Sequence, residues 1–304
     1  MQPKQRSTGP ATPEFAIVIP TFKRAEKLKD LAASLAASTR VPYSLFFVVE
    51  REDQPTIDAA NRLGASVIFN EGPGTYASCV NTAYRMTAEP YLLIGADDIR
   101  FGDHCLEAAR AALADESIGV IGAFDPQNVK GDHADHYVVR RRYIDEHGGS
   151  LDARGTVLHP YGHAFTDVEL VSVAKVRGAF AFAHEFQILH DHPGWDFGGT
   201  VDRTSDLFDE TYAKGNASHS ADARLYGVRS RMWRRALIAR PQATKMDRHF
   251  AFMGRVNDPR IGFFYKPSAI VQRANLALRR RIPARIKRQI RERRDHRNDQ
   301  ELQP

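Results

Sequence analysis

The sequence predicts an α/β fold in which a mixed, mainly parallel sheet is flanked by helices. Short apolar segments alternate with segments of helical periodicity over roughly the first 100 residues. This alternation is typical of parallel strands that are joined by right-handed helical crossovers. Polar residues follow several of the apolar segments. Because ligands of such sheets bind beyond the carboxyl ends of the strands, we expect these polar residues to line a binding crevice.

Apolar runs and helical spacing define the predicted elements. We predict strands at residues 15–20, 45–49, 67–69 and 91–94. Helices are predicted at residues 23–35, 56–63 and 76–86, the last after a glycine-rich turn at 70–74. Further along the chain we predict a helix at 165–176, a strand at 180–188 and a basic amphipathic helix at 220–238. The resulting domain prediction is a flexible tail at 1–14, a sheet domain at 15–215 and a helical extension at 216–304.

Composition places the chain among ordinary globular proteins. It has 304 residues, of which 42% are hydrophobic and 26% charged, so it is neither a disordered nor a fibrous chain. The two cysteines, Cys79 and Cys105, lack the spacing of metal ligands, which favours a reducing, cytoplasmic location. No apolar run approaches the roughly 20 residues of a transmembrane helix, and residues 1–14 lack the apolar centre of a signal peptide.

The positive charge is concentrated near the C-terminus. Between residues 273 and 297, eleven Lys or Arg face two acids, so this basic arm carries +9 and the rest of the chain −3. Such polarity indicates a polyanionic partner, either nucleic acid or an anionic membrane. Apolar residues repeat every four positions from 278 to 290, so the arm could pack on the body, lie in a membrane interface or present arginines to phosphates. Without an aromatic residue from 273 onward, stacking on single-stranded bases is not expected.

Two adjacent acids follow the predicted strand at 91–94. Asp97 and Asp98 come after Gly95 and Ala96 at the end of a buried apolar run. Neighbouring carboxylates repel each other and are costly to desolvate, so the pair favours a bound cation. Oxygen ligands suit Mg²⁺ or Mn²⁺, which usually bind together with a phosphate. The alternative is a turn, or a cap of a helix that begins near Asp103.

Three strand ends are expected to meet in one crevice. Pro20 and Thr21 follow the first strand, Glu50 the second, and Asp97 and Asp98 the fourth. No Gly-x-Gly-x-x-Gly follows the first strand and no P-loop is present, so neither a dinucleotide site nor a P-loop nucleotidase is predicted. A phosphate in this crevice would therefore be held by a metal ion.

These motifs together resemble a known enzyme family. They are Ile-Val-Ile-Pro-Thr-Phe-Lys-Arg at 17–24, Val-Val-Glu at 48–50 and, after a glycine turn and a helix, Gly-Ala-Asp-Asp at 95–98. The region from about 15 to 193 resembles a family 2 glycosyltransferase with the nucleotide-sugar-binding GT-A fold. The resemblance implies inverting transfer of a sugar from a UDP-sugar, with UDP-glucose as the first candidate, assisted by Mn²⁺ or Mg²⁺.

The sequence departs from the family pattern at two donor positions. The Asp-x-Asp signature of the family falls on residues 95–97, so its first acid is replaced by Gly95 and Asp97 becomes the main metal ligand, with Asp98 behind it. The Asp-Asp at the end of the second strand becomes Glu50-Arg51, which leaves Glu50 to contact the uracil or ribose. The resemblance implies the following donor-binding residues: Pro20, Thr21, Arg24, Glu50, Asn81 and Asp97.

A second motif supplies the expected base. Phe-Thr-Asp-Val-Glu-Leu at 165–170 resembles the Glu-Asp-x-Asp-Leu segment of the family, which implies that Asp167 removes the proton of the acceptor hydroxyl. The alternative for Asp167 is a helix N-cap. Related enzymes complete the metal site with a histidine. His190 and His192 lie on the same side of an extended chain, so alternation does not distinguish them; we favour His192, and a solvent-facing turn histidine is the alternative.

A narrower resemblance concerns the acceptor. The segments at 95–101, 140–149 and 165–170 are similar to a subgroup encoded by bacteriophages, for which glycosylation of hydroxymethylated pyrimidines in DNA is implied. The loop at 131–136 is expected to cover the donor or the acceptor. The predicted acceptor or DNA contacts are His163, Glu169, Trp195, Arg279, Arg280, Arg281, Arg285 and Arg288.

Three functional hypotheses follow. The first is a metal-dependent glycosyltransferase that acts on modified DNA, and the second is the same chemistry on a lipid-linked or cell-surface glycan. The third is a nucleotide-sugar-binding or DNA-binding protein without turnover, which the missing acid at Gly95 motivates. The sequence carries no signal for the sugar or for the oligomeric state.

Overall fold

The computed structural model describes residues 12–127, 132–192 and 208–261. Its strands are β1 Phe15–Pro20, β2 Tyr43–Val49, β3 Ser66–Phe69, β4 Tyr91–Ile94, β5 Ile99–Phe101, β6 Val120–Phe124, β7 Tyr137–Arg140 and β8 Phe180–His190. Its helices are α1 Leu28–Ser38, α2 Gln54–Arg62, α3 Tyr76–Met86, α4 Cys105–Ala112, α5 Arg141–His147, α6 Thr166–Val176, α7 Glu210–Arg229, α8 Arg234–Ala239 and α9 Lys245–Asn257.

The strands form one mixed sheet in the order β3-β2-β1-β4-β7-β6-β8-β5. The first four of these are parallel, β7 runs antiparallel to both β4 and β6, and β8 lies parallel to β6. Ile17 of β1 pairs with Leu45 of β2 and with Leu93 of β4. This register brings the carboxyl ends of the three strands to the same edge of the sheet, as the sequence predicts.

The sheet separates two buried layers. Alternate residues of β1 point to opposite faces: Phe15, Ile17 and Ile19 pack in the layer that includes α1, α2 and α4, whereas Ala16 and Val18 pack in the layer with α3, α5 and α6. Because both faces are covered by helices, β1 is apolar at every position before Pro20. The predicted α/β fold class is confirmed.

The C-terminal helices form a third apolar cluster on the outside of α6. Trp233 is fully buried and packs with Tyr226 and Leu237 against Val168 and Val173 of α6. Helix α7 continues through positions 215 and 216, where the sequence analysis divides the domains. None of the helices in the described ranges is both long enough and apolar enough to cross a bilayer.

Two predicted helices differ from the observed ones. Helix α1 begins at Leu28 rather than at residue 23, because Lys23 adopts a left-handed φ of 55° and residues 24–27 form a turn. A single helix at 220–238 is wrong: α7 begins at Glu210, and a 3₁₀ turn at Ser230–Met232 separates it from α8. The early start has a local cause, since the carboxylate of Asp209 accepts from the backbone N–H groups of Thr211 and Tyr212.

Candidate active site

A cavity of about 390 Å³ opens at the carboxyl edge of the sheet. It is lined by residues that follow β1, β2 and β4 and by residues at the beginnings of α6 and α7. Of the predicted site residues, the following line this cavity: Pro20, Thr21, Arg24, Glu50, Asp97, Asp98, His163, Asp167, His190 and His192. The predicted contacts Trp195, Arg279, Arg280, Arg281, Arg285 and Arg288 lie outside the described residues.

Two predicted contact residues lie elsewhere. The side chain of Asn81 donates to the carbonyl of Leu158 at 2.8 Å and accepts from the N–H of Val157 at 3.0 Å, so it joins α3 to the loop before α6. Glu169 is 1% exposed and its carboxylate accepts from Tyr161 and Arg229. Neither position fits the contact predicted for it, because the polar atoms of both side chains are engaged within the protein.

The acid pair is buried and bound to an arginine. Nη1 of Arg24 lies 2.5 Å from Oδ1 of Asp97 and 3.0 Å from Oδ2 of Asp98. On its other side the guanidinium is held by Asp209, with Nε 2.6 Å from Oδ2 and Nη2 2.8 Å from Oδ1. The ring of Tyr212 stacks 5.0 Å from the guanidinium carbon. One positive side chain thus bridges three carboxylates from two distant parts of the chain.

Asp98 has two further partners. The hydroxyl of Tyr212 donates to its Oδ2 at 2.6 Å, and Nε2 of His190 lies 3.1 Å from its Oδ1. Burial alone would raise the pKa of Asp98, but His190, Arg24 and Tyr212 hold it well below its ordinary value. Burial would conversely lower the pKa of His190, but the charge of Asp98 raises it.

Asp97 has the opposite electrostatic environment. Burial and the adjacent charge of Asp98 raise the pKa of Asp97 to about 6, although Arg24 opposes the shift. The two neighbours therefore differ in proton affinity, as expected for like charges that share one site.

The residues at the acid pair fit a divalent ion by ligand type and by charge. The imidazole of His190 lies beside Asp98, the neighbour of Asp97, and carboxylate and imidazole groups are ligand types that suit Mn²⁺. Including Asp209, three carboxylates face the single guanidinium of Arg24, which leaves excess negative charge. His190 rather than the favoured His192 contacts Asp98 through Nε2; the ring of His192 lies 5.2 Å from that of His190.

Asp167 lines the same cavity from the first turn of α6. The N-cap position of this helix is Phe165, with a left-handed φ of 69°, so Asp167 does not cap it. Oδ2 of Asp167 lies 2.9 Å from Nε2 of His133, which is buried and packs its ring 4.6 Å from Phe250 of α9. The side chain of Asp167 remains 23% exposed. Asp167 is therefore both oriented and accessible from the cavity.

Comparison with known proteins identifies the fold. No protein-family model matches the sequence, and no curated protein does. A solved mannosyltransferase from Pyrobaculum calidifontis, in complex with GDP-Man and Mn²⁺, superposes with a TM-score of 0.53 and 12% identity over 88% of this chain and 81% of that chain. The chain has the GT-A glycosyltransferase fold.

A second solved structure is similar at a lower score. It is the glucosyl-3-phosphoglycerate synthase of Mycobacterium tuberculosis in complex with Mn²⁺, UDP and glucosyl-3-phosphoglycerate. The TM-score is 0.49 and the identity 14%, over 68% of this chain and 78% of that chain. Within the GT-A fold, the cavity at the carboxyl edge lies where α/β sheets bind their ligands.

In this GT-A chain the position of the absent acid faces the core. A Cβ atom added at Gly95 would lie 2.7 Å from Cδ1 of Ile99 and 2.9 Å from Cδ1 of Ile19. Both isoleucines belong to the buried apolar layer. A carboxylate at position 95 would thus be directed at apolar groups, and the two acids of the site are adjacent rather than separated by one residue.

Sequence reasoning missed three residues of the site. Asp209 and Tyr212 reach Arg24 and Asp98 from the start of α7, more than 100 positions away along the chain, and no local pattern indicates that contact. The helix-capping pattern of Asp209 before Thr211 is the signal that would have located the start of α7. His133 belongs to the polar loop at 131–136 that the sequence analysis placed over the ligands, but its pairing with Asp167 was not predicted.

Proposed function

We propose that the protein is a metal-dependent inverting glycosyltransferase that moves a sugar from a UDP-sugar to a hydroxyl acceptor. The observation that carries the proposal is that one cavity is lined both by the buried pair Asp97 and Asp98 and by the accessible carboxylate of Asp167. The mannosyltransferase of the same fold, which contains GDP-Man and Mn²⁺, supports the donor class and the metal.

The donor side of the proposed site is built from strand ends. Asp97, Asp98 and His190 would hold Mn²⁺ or Mg²⁺, which supplies positive charge to the departing diphosphate. Glu50 would contact the ribose or the base; its carboxylate is oriented by Nδ2 of Asn70 at 2.9 Å. Pro20 and Thr21 form the adjoining wall of the cavity. UDP-glucose is the first donor to test.

The acceptor side depends on Asp167. Its carboxylate would take the proton of the acceptor hydroxyl while the new bond forms on the face of the sugar opposite the leaving diphosphate. The hydrogen bond from His133 to Oδ2 would fix the carboxylate, so that Oδ1 faces the acceptor. His163 lines the same part of the cavity and would contact the acceptor.

For the acceptor we propose DNA that carries hydroxymethylated pyrimidines. Support comes from the resemblance of segments 95–101, 140–149 and 165–170 to phage-encoded enzymes and from the basic arm with its charge of +9. A base within a duplex would have to be flipped into the cavity, with arginine contacts to phosphates. This acceptor is consistent with a cytoplasmic enzyme.

The test is mass analysis of nucleosides after hydroxymethylated DNA is incubated with the full chain, Mn²⁺ and a panel of UDP-sugars plus GDP-Man. We expect the mass of one sugar to be added to the modified pyrimidine, and no addition to unmodified DNA. Asp167→Asn should retain UDP binding but lose transfer by roughly 100-fold or more. Asp97→Ala should abolish Mn²⁺-dependent hydrolysis of the donor.

Different failures have different meanings. Equal donor hydrolysis by the native chain and by Asp97→Ala, with no transfer by either, would refute catalysis and leave a binding protein. Hydrolysis that depends on Asp97, without transfer to DNA, would refute the acceptor alone. Removal of residues 273–297 should weaken binding to DNA; if it instead only releases the protein from anionic vesicles, a membrane-associated glycan acceptor is favoured.

A further inference from the structure

Arg24 occupies the position that a cation between Asp97 and Asp98 would take. Its Nη1 contacts both carboxylates, at 2.5 and 3.0 Å, and its side chain is 4% exposed. A guanidinium and a divalent ion would repel each other strongly at such a distance inside a cavity wall. Full engagement of both acids by an ion therefore requires Nη1 to leave them.

The structure shows where the guanidinium would be retained. Asp209 holds the Nε and Nη2 edge, and its own side chain is 37% exposed. The backbone nearby is fixed, because the N–H of Lys23 donates to Asp53 at 2.6 Å. Rotation of the Arg24 side chain about the Asp209 contact would release Nη1 without moving the turn at 21–27.

We propose that Arg24 is an exchangeable counter-ion, which neutralises Asp97 and Asp98 in the empty cavity and passes to the donor diphosphate when a divalent ion replaces it there. This inference rests on the proposed function. The planar guanidinium suits the exchange, since its donors match phosphate oxygens as well as carboxylates. Asp209, which bridges Arg24 to the start of α7, is the residue that would keep the released guanidinium near the diphosphate.

The exchange couples the binding of metal to the binding of nucleotide. An ion that binds alone must displace Arg24 from two carboxylates with no new anion to receive it, so the affinity of the free protein for metal is reduced. When the diphosphate is present, the guanidinium gains a partner and the same displacement costs less. Metal and nucleotide should therefore each increase the affinity for the other.

The test compares Arg24→Gln with Lys23→Gln. Lys23 is the neighbouring cation and also reaches α7, but its side chain is exposed and its ammonium group pairs with Glu210, at 3.1 Å. Free Mn²⁺ is measured by electron paramagnetic resonance, with and without UDP, on the full chain. Arg24→Gln should bind Mn²⁺ alone roughly tenfold or more tighter than the native chain, and UDP in saturating Mn²⁺ roughly tenfold weaker. Lys23→Gln should change neither affinity by more than about threefold.

A charge-preserving variant separates charge from folding. Arg24→Lys should keep the Mn²⁺ affinity of the native chain within about threefold, because a cation still faces the acids. If Arg24→Gln does not fold, Arg24→Met takes its place, and Mn²⁺ should raise the melting temperature of that variant more than that of the native chain. An Mn²⁺ affinity no tighter than that of Lys23→Gln, or an unchanged UDP affinity, would overturn the inference.

These measurements do not depend on turnover. A chain that transfers sugar while Arg24→Gln gains no Mn²⁺ affinity would refute the exchange and leave the proposed function intact. A chain with the expected shifts in Mn²⁺ and UDP binding but no transfer to any acceptor would refute the enzyme and leave the exchange.

Discussion

An arginine–carboxylate cluster lies at each end of helix α7, and the two clusters have different roles. The cavity cluster consists of Arg24, Asp97, Asp98 and Asp209, and the buried cluster consists of Arg229, Glu169, Asp152 and Tyr161. Arg229 donates to both oxygens of Glu169, at 2.9 and 2.6 Å, and to both oxygens of Asp152, at 2.8 and 2.7 Å. Both clusters join α7 to the sheet domain.

The difference lies in charge balance and in access to the cavity. Three carboxylates face Arg24, and two of them line the cavity. Two carboxylates face Arg229, and one of these, Glu169, is 1% exposed and also accepts a hydrogen bond from the hydroxyl of Tyr161. Burial and ion pairing are common to both. Unbalanced negative charge beside a cavity, with a raised pKa at Asp97, is what distinguishes a candidate site from a structural ion pair.

The largest effect should come from the buried cluster. Glu169→Ala leaves Arg229 with Asp152 alone and empties a buried site, so we expect the free energy of unfolding to fall by about 3 kcal/mol or more. Asp97→Asn should change that free energy by less than about 1 kcal/mol at pH 4, because Asp97 is protonated in the native state there and only partly ionised in the unfolded state. Urea unfolding of both variants measures the contrast. An equal loss in the two would remove the distinction between the clusters.

Asp97 and Asp152, one carboxylate from each cluster, should affect the pH dependence of stability with opposite sign. The native pKa of Asp97 is raised from 3.8 to about 6, so the native state binds this proton more tightly than the unfolded state, and ionisation costs stability as pH rises from about 4 to 6. Asp97→Asn should therefore gain stability over the native chain across that range, by on the order of 2 to 3 kcal/mol at most.

Asp152 supplies the matched comparison for that experiment. Arg229 holds the pKa of Asp152 below its ordinary value despite the opposing effect of burial. The ionised Asp152 therefore stabilises the native state at any pH above its ordinary pKa, and this stabilisation is lost as pH falls through the lowered pKa. The stability advantage of the native chain over Asp152→Asn should stay constant from pH 7 to about 5 and shrink in stronger acid. Urea unfolding at several pH values measures how the stability of each variant differs from that of the native chain. If both stability differences change with pH in the same direction, the opposite pKa shifts of Asp97 and Asp152 are contradicted.

The smallest effect concerns the base. His133→Phe keeps the ring contact with Phe250 but removes the hydrogen bond to Asp167, so we expect kcat to fall about tenfold with KM unchanged, as for the loss of about 1.5 kcal/mol from a hydrogen bond to a charged group. His249→Phe is the control, because its ring packs on the same Phe250 at 5.5 Å. Equal decreases in kcat would assign His133 a packing role alone.

Local sequence was sufficient to bring the strand-end residues together in one cavity. Thr21, Glu50 and Asp97 each follow an apolar run, and the alternation of strands and helices was enough to bring them to one edge. Local sequence could not predict the long-range contacts. Tyr212 contacts Asp98 across 114 positions of the chain, and hydrophobic periodicity does not specify which helix closes a cavity. Glu169 is the converse case: its place in a motif predicts an acceptor or DNA contact, whereas its carboxylate is buried and paired with Arg229.

The positions of the helix ends were likewise only partly predictable from the sequence. Apolar spacing located the middle of α1 through Leu28, Leu31 and Leu35, but the left-handed residue Lys23 and the turn after it delayed its start. Side-chain capping by Asp209 extended α7 in the N-terminal direction beyond its amphipathic part. Periodicity reports which face a helix buries, whereas its length depends on hydrogen bonds at single terminal residues.

The orientation of Gly95 limits how the acid pair could be redesigned. A Gly95→Asp substitution would place its carboxylate toward Ile19 and Ile99, so it would add a charge to the apolar layer instead of a third ligand to the site. Restoring the spaced two-acid signature would first require smaller residues at both isoleucine positions. The presence of the second carboxylate at Asp98 instead of at position 95 is thus tied to the packing of Ile19 and Ile99 against Gly95.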